Sequence, residues 1–410
     1  MNWKFAFQNP KVALRKAIHR LPNHALKRRF MKFPSSEKII GQLEKLQNES
    51  KNKECFIFPL PGCPWGYMFQ RPQQMARALG NKGYTVIYCV DTSFTGSPDW
   101  DVRGLKCVGE NLYLFNDGQS GRTLNFLQNK MVVWKYWPHQ TDFLNRLKLK
   151  NKKIIYDCID HLSTFIYYKD IEKDHINSLA EADLVIATAD KIFNNIKKKG
   201  DNCLLIPNAV SLEDFSGDYI QDIPYELKTK LEMISKESDQ IVGYYGALAD
   251  WVDFDLIEYC ARKNPGWTFL LVGVKYPNIS IPKLPNIEIW GEINYRYIPA
   301  LLSYFDVAIL PFKKNEITQH TSPVKIFEYM AGKKPIVSTK LYEIQKYDVV
   351  LSAEGNEEFN EKLNIGIQLK TNQQYLDLLI QCSLENSWDQ RAEVVLNNLK
   401  NRGFISNGEI

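Results

Sequence analysis

No stretch of this 410-residue chain approaches the roughly 18–20 uninterrupted apolar residues that a membrane-spanning helix needs. The N-terminus has neither the apolar core nor the small-residue cleavage site of a secretory signal, and the two absences together predict a cytoplasmic protein. Paired cysteines are missing as well. Cys55, Cys63, Cys89, Cys107, Cys158, Cys203, Cys260 and Cys382 stand singly, with no C-x-x-C and no His at metal-ligand spacing, so neither a disulfide framework nor a zinc site is expected. Cys89 and Cys158 sit inside apolar runs, where a thiol packs as a small hydrophobe. No acidic residue precedes Glu37, whereas Lys4, Lys11, Arg15, Lys16, Arg20, Lys27, Arg28, Arg29 and Lys32 do. The net charge of the whole chain is +5, so the part beyond this basic segment is mildly acidic and nucleic-acid binding by it is not expected. Short internal repeats and low-complexity tracts are also lacking.

What is present is the balance of a globular enzyme, with 44% hydrophobic and 24% charged residues. The length suggests two domains. Residues 1–50 read as a basic appendage interrupted by Pro10, Pro22 and Pro34. Val12, Leu14, Ile18 and Leu21 alternate with cations at roughly helical spacing. That pattern fits either an interfacial helix on anionic lipid through residues 1–34 or a solvated helical pair packed on the first domain.

From residue 51 to 222, short apolar runs alternate with helical stretches: Cys55–Phe58, Thr85–Val90, Met131–Trp134, Lys153–Tyr156, Leu184–Ala187 and Cys203–Ile206. A second series, residues 223–372, holds Ile241–Tyr245, Thr268–Val272, Ile287–Trp290, Val307–Leu310, Ile336–Ser338 and a smaller Val349–Leu351. Runs of β-branched and aromatic residues separated by helices indicate parallel sheets covered on both faces. The expected fold is therefore α/β, two Rossmann-like doubly wound domains facing each other across a cleft. A final helix, 373–402, is expected to pack back on the first domain. Each sheet would bind ligands beyond the carboxyl ends of its strands.

The segment from Thr321 to Pro335 carries the most chemistry. Thr321 or Ser322 suits an N-cap, Pro323 the first helical position, and Gly332 the C-terminal cap. A short helix so placed, with Val324 in its first turn, aims free N–H groups and the positive end of its dipole at whatever lies beyond the sheet, an arrangement suited to a diphosphate. Lys325 adds a full charge in the first turn. Glu328, three residues on, lies on the same face, where a carboxylate can accept hydrogen bonds from vicinal hydroxyls such as those of a ribose.

Asn286-Ile287, Gly291, Tyr297-Ile298-Pro299, Phe305-Asp306-Val307, Pro311-Phe312 and the block Pro323–Thr339 resemble the donor half of retaining GT-B glycosyltransferases, in particular the bacterial cell-surface polysaccharide, teichuronic-acid-type subgroup. Ile206-Pro207-Asn208-Ala209-Val210 is similar to that superfamily's I-P-N-G-V segment. Gly243–Ala247 with Trp251 resembles the opening of its second domain, and Trp65-Gly66 with Arg71-Pro72-Gln73-Gln74 its first loop and helix. The resemblance spans roughly residues 55–395. It implies that Glu328 is the second glutamate of the E-x7-E motif and holds the nucleotide ribose. The first glutamate is replaced by His320, at a position that usually touches the transferred sugar. The Arg and Lys that usually follow the first strand of the second domain are replaced by Ala247, Leu248, Ala249 and Asp250. Gly246, Trp251, Gly66, Thr321, Ser322, Pro323 and Val324 complete the expected donor site, with phosphate charge resting on Lys325, the helix end and Arg71.

The reaction so implied moves a sugar from a nucleotide-sugar, UDP-sugar favoured over GDP-sugar, to a glycan or lipid-linked acceptor. Preorganised donors aimed at the leaving diphosphate lower the barrier. No D-x-D metal motif stands in a strand-end loop, and no metal or cofactor is expected. Asp160, His161 and His139 are candidates to orient or deprotonate the acceptor hydroxyl; capping of loops and helices is their alternative role. Two other functions fit the same architecture: a sugar-nucleotide epimerase, and a non-catalytic sugar-nucleotide or glycan-binding partner.

Overall fold

The computed structural model describes residues 33–406 except 51–53, 67, 92–98, 100, 129, 150, 166–167, 199, 201 and 218–222. Nearly all of the basic segment 1–34, with the expected lipid-facing helix, thus lies outside the described residues. The described residues form two compact units. The first gathers those up to Ala187, Gly200–Leu204 and those from Ala392 onward; the second holds Thr188–Lys199 and Leu205–Arg391.

In the first unit eight strands form one sheet: β1 (Glu54–Phe58), β2 (Thr85–Cys89), β3 (Gly104–Gly109), β4 (Leu112–Asn116), β5 (Lys130–Lys135), β6 (Lys152–Cys158), β7 (Leu184–Ala187) and β8 (Cys203–Leu205). Their order is β3-β4-β2-β1-β5-β6-β7-β8. β1, β2 and β7 bury every residue, as strands covered on both faces must. β3 and β4 were not expected. They pair antiparallel at the edge, and β3 exposes much of its length, so no apolar run announces it. Helix α1 (Ser36–Glu49) starts at Ser35, whose hydroxyl accepts the Lys38 N–H at 3.3 Å. Ile39, Leu43 and Leu46 form one apolar stripe that joins the core beneath β1 and β5. Residues 36–49 are therefore part of the first unit, not of an appendage reaching to residue 50. Helix α2 (Arg71–Asn81) follows β1.

The second unit holds β9 (Gln240–Tyr245), β10 (Trp267–Val272), β11 (Ile287–Trp290), β12 (Val307–Leu310), β13 (Ile336–Thr339) and β14 (Val350–Ala353). All six match the apolar runs read from the sequence. They are ordered β11-β10-β9-β12-β13-β14 and pair in parallel throughout. The order reverses between β9 and β12, the point at which a doubly wound sheet opens a crevice at its carboxyl edge. Gly243 in β9 serves packing: a Cβ there would stand 2.2 Å from the Phe305 ring.

The C-terminal helix differs from expectation. It is two helices, α4 (Gln373–Glu385) and α5 (Trp388–Asn401), because the intervening residues turn to pair with Val210: the Val210 N–H donates to the Asn386 carbonyl and the Trp388 N–H to the Val210 carbonyl, each at 3.0 Å. Contacts group α4 with the second unit and only the chain from Ala392 with the first. The expected division at residue 222 likewise falls inside the second unit, which takes in residues from Leu205.

Candidate functional site

Beyond the carboxyl ends of β9 and β12 lies helix α3 (Val324–Ala331). Ile326, Phe327, Tyr329, Met330 and Ala331 are buried and anchor it, leaving Lys325 and Glu328 on the remaining face. Its start differs from the expected one. Pro323 is the N-cap and Val324 the first helical residue, with no side-chain cap. Both hydroxyls expected to cap the helix are engaged elsewhere. Thr321 Oγ1 donates to the Ile317 carbonyl at 2.7 Å. Ser322 is tied to Asn208, whose N–H donates to Ser322 Oγ at 3.3 Å and whose Nδ2 donates to the Ser322 carbonyl at 2.6 Å. The N–H groups of the first turn thus receive no capping side chain, which preserves the anion-binding end. At the other end Gly332 is the C-cap with φ −76°, so it is small for packing: a Cβ would meet Leu302 Cδ2 at 2.3 Å. The left-handed residue is Lys333, at φ 55°.

Two glycines form the floor beside this helix. Gly246 has φ +138°, and a Cβ on it would fall 2.2 Å from Lys325 Cε and 2.7 Å from Nζ. Gly273, at φ +149°, would put a Cβ 1.9 Å from the Gly246 carbonyl oxygen. Backbone meets backbone there, and the Lys325 side chain lies across it. Burial lowers the Lys325 pKa, while Glu328 acts in the opposite sense.

Glu328 is 4% exposed. Burial pushes its carboxyl up to about 7; the Tyr245 hydroxyl and Lys325 oppose the rise, and Asp214 adds to it. Tyr245 donates to Glu328 Oε2 at 2.7 Å. Asp214 in turn accepts from the Tyr295 hydroxyl at 3.0 Å. The sequence did not reveal Tyr245 or Asp214 as neighbours of Glu328, because neither stands at a fixed spacing from it. Asn208 was visible only as part of the Ile206–Val210 segment.

His320 ends the short helix Glu316–Gln319. Its Nδ1 donates to the Glu316 carbonyl at 2.6 Å; since a carbonyl only accepts, the neutral ring carries its proton on Nδ1 and an acceptor lone pair on Nε2. Trp251 packs edge-on against Tyr276 at 5.7 Å, beyond β9 and β10. The second unit therefore brings together Gly246, Lys325, Glu328, Ser322, Thr321, Pro323 and Val324 around the start of one helix.

The first unit holds the remaining candidates. Gly66 lies in the turn after β1, where the Trp65 N–H donates to Asp99 Oδ2 at 2.9 Å. Arg71 departs from its expected role in carrying phosphate charge. It is 3% exposed and pairs with Asp157, its Nε 2.8 Å from Oδ2; Trp134 Nε1 donates to the same oxygen at 3.0 Å. Its charge is committed to a buried partner. Asp160 follows β6, and burial raises its carboxyl to about 7, with Arg71 pulling the other way. Nδ1 of His161 accepts the Ser163 N–H at 3.3 Å and lies 2.8 Å from Ser163 Oγ, a loop-capping arrangement. His139 stacks between Trp137 and Tyr168, with ring centroids 5.3 and 4.1 Å away. Burial lowers its pKa, and neither ring nitrogen has a hydrogen-bond partner. Lys135, not foreseen, is fully buried; it donates to Thr141 Oγ1 and Ser178 Oγ at 2.5 Å each, and burial brings its pKa down to about 8. Among the described residues no group of three or more His, Cys, Asp or Glu side chains is placed to hold a metal, and all eight cysteines are free.

Residues 240–364 match the family model "Glycosyl transferases group 1". The matched segment spans all six strands of the second sheet. The chain is 25% identical over 213 residues to TuaH of Bacillus subtilis (strain 168), named for teichuronic acid biosynthesis, an alignment covering 47% of this chain and 52% of that protein. The chain thus spans about half the length of the curated relative it matches. Among solved structures it is similar to Anabaena Alr3699/HepE in complex with UDP-glucose, at TM-score 0.61 and 14% identity, covering 85% of this chain and 99% of the other. It is equally similar to a UDP-forming alpha,alpha-trehalose-phosphate synthase from Burkholderia vietnamiensis, at TM-score 0.61, 10% identity and coverage of 85% and 99%. These likenesses show that the two mainly parallel α/β sheets have the GT-B fold.

Proposed function

We propose that the enzyme transfers a hexose from a UDP-sugar to a glycan or lipid-linked acceptor during synthesis of a cell-surface polysaccharide, with retention of configuration. One observation carries this reading: an uncapped helix start, with Lys325 lying across Gly246 and Glu328 one turn deeper. The naming of TuaH for teichuronic acid biosynthesis and the UDP-glucose bound to HepE support the polysaccharide and the donor.

As the sugar–phosphate bond breaks, negative charge grows on the leaving diphosphate. The α3 N–H groups and Lys325 are assigned to it, with no divalent cation required. Trp251 and Gly246 line the donor, Glu328 holds the pentose, and His320 takes a hydroxyl of the transferred sugar through Nε2. Asp160, whose carboxyl titrates near neutrality, suits removal of the acceptor proton, with His161 and His139 orienting the acceptor and Gly66 shaping the first loop. Residues 1–34 are assigned to an anionic membrane surface, which would place the enzyme on the cytoplasmic face.

The test is incubation with UDP-, GDP- and dTDP-sugars, with and without glycan acceptors and with EDTA. Acceptor-stimulated UDP release that survives EDTA is expected, and Lys325→Ala should reduce it at least about a hundredfold, as loss of a transition-state donor does. Wild-type turnover in Lys325→Ala would remove the phosphate assignment. His320 in place of glutamate favours one second reading, a sugar-nucleotide-binding partner without chemistry. Nucleotide binding with no turnover on any acceptor would support it.

A further inference from the structure

Tyr245 is the last residue of β9 and is 6% exposed. Its ring is fixed on two sides, edge-on to Tyr329 at 5.1 Å and tilted against Phe305 at 6.5 Å. A phenol held this firmly has one direction for its hydroxyl, and that direction ends on Glu328 Oε2 at 2.7 Å. The two carboxylate oxygens therefore differ. Oε2 is held, whereas Oε1 accepts no hydrogen bond among the described residues and is not sealed from solvent. Other ionisable groups act on the same carboxyl. Lys325 from the same helix favours its charge, and Asp214 from the turn Glu213–Phe215, held by Tyr295, opposes it. Tyr329 is a further neighbour.

We propose that Tyr245 is a positioning residue for nucleotide binding, holding Glu328 Oε2 so that Oε1 is presented, as an acceptor, to the pentose hydroxyls. The proposal rests on the nucleotide-sugar reading of this site. Hydrogen bonding to the charged form favours that form, so Tyr245 also keeps Glu328 ionised and able to accept. Loss of the phenol leaves burial and Asp214 less opposed. The carboxyl then takes up a proton at higher pH and its oxygens are free to rotate.

The experiment is calorimetric titration of the full chain with uridine diphosphate between pH 5.5 and 8.5, in the wild type, Tyr245→Phe, Tyr329→Phe and Glu328→Gln. Wild-type affinity should fall as pH drops through about 7, where the Glu328 carboxyl titrates. Tyr245→Phe should weaken binding about tenfold at pH 7, the scale of a hydrogen bond to a charged group, and move the acid limb to higher pH. Glu328→Gln should flatten the profile, and Tyr329→Phe should overlay the wild type. With 2′,3′-dideoxyuridine diphosphate the wild type and Tyr245→Phe should bind alike. A Tyr245→Phe curve that overlays the wild type, beside a weakened Glu328→Gln, overturns the positioning role and leaves the nucleotide site standing. No binding of uridine, guanosine, adenosine or thymidine diphosphate by the wild type at millimolar concentration removes both. Should Tyr245→Phe fail to fold, 3-fluorotyrosine introduced at position 245 supplies the second measurement. Its fluorine resonance should titrate near pH 7 and be silent in Glu328→Gln; a resonance indifferent to pH overturns the link.

Discussion

Glu328 and Arg71 are both buried ionisable side chains, and they differ in what the charge is for. Glu328 is buried with its carboxyl raised from 4.5 to about 7. Folding therefore binds its proton more tightly than the unfolded chain does, and the stability linked to that proton is present below about pH 4.5 and lost as pH rises towards 7. Glu328→Gln removes the penalty. The ligand-free variant should melt higher than wild type at pH 8, by an amount worth roughly 1–3 kcal/mol, and no higher at pH 4; an equal or lower melting temperature at pH 8 would contradict the direction of the shift. Arg71 is the opposite case. Its partner Asp157 stays buried when Arg71 is lost, and breaking such a pair typically costs about 3–5 kcal/mol. Arg71→Ala should show that loss in urea unfolding. Unchanged stability with a raised KM for the donor would instead return Arg71 to the substrate. The sequence exposed Glu328 and Lys325 through their three-residue spacing, but Arg71 looked equally available. Nothing local says that an arginine at the start of α2 meets an aspartate 86 positions later.

At the level of elements, what was legible depended on burial. The six strands of the second sheet were visible because strands covered on both faces leave uninterrupted apolar runs. The β3–β4 pair was hidden because an edge strand can afford Lys106 and Cys107 towards solvent. The break between α4 and α5 was hidden for another reason. Asn386 and Ser387 are unremarkable in a helical pattern, and only the pairing with Val210 stops the helix there. The same contest decides the start of α3. Propensity favours Ser322 as a cap, but Asn208 claims it. Asn208→Ala removes both bonds to Ser322 and should cost about 1–3 kcal/mol. It should also loosen the start of α3, seen as faster amide exchange at Lys325 and Ile326 with the β9–β10 amides unchanged. Uniform exchange across the unit would mean that the tie is incidental to the helix start.

For the whole chain, the two-sheet architecture could be read from alternating runs, whereas the partition of residues between units could not, since it is set by contacts made only after folding. The membrane role proposed for the basic segment can be tested apart from the donor site. Deleting residues 1–34 should weaken sedimentation with vesicles containing anionic lipid and leave unchanged the UDP release from the donor that soluble acceptors stimulate, with the weakening steepest at low salt. Equal sedimentation of both forms would reject the membrane role. The tie between Asn208 and Ser322 spans 114 residues, and it bears on how the protein comes off the ribosome. Until residue 322 has emerged, the Ile206–Val210 segment has nothing to fasten to, and the helix that follows has not yet been made. A chain stalled anywhere in that interval holds a partial sheet and no anchored helix start, so protection by uridine diphosphate would distinguish finished molecules from truncated ones.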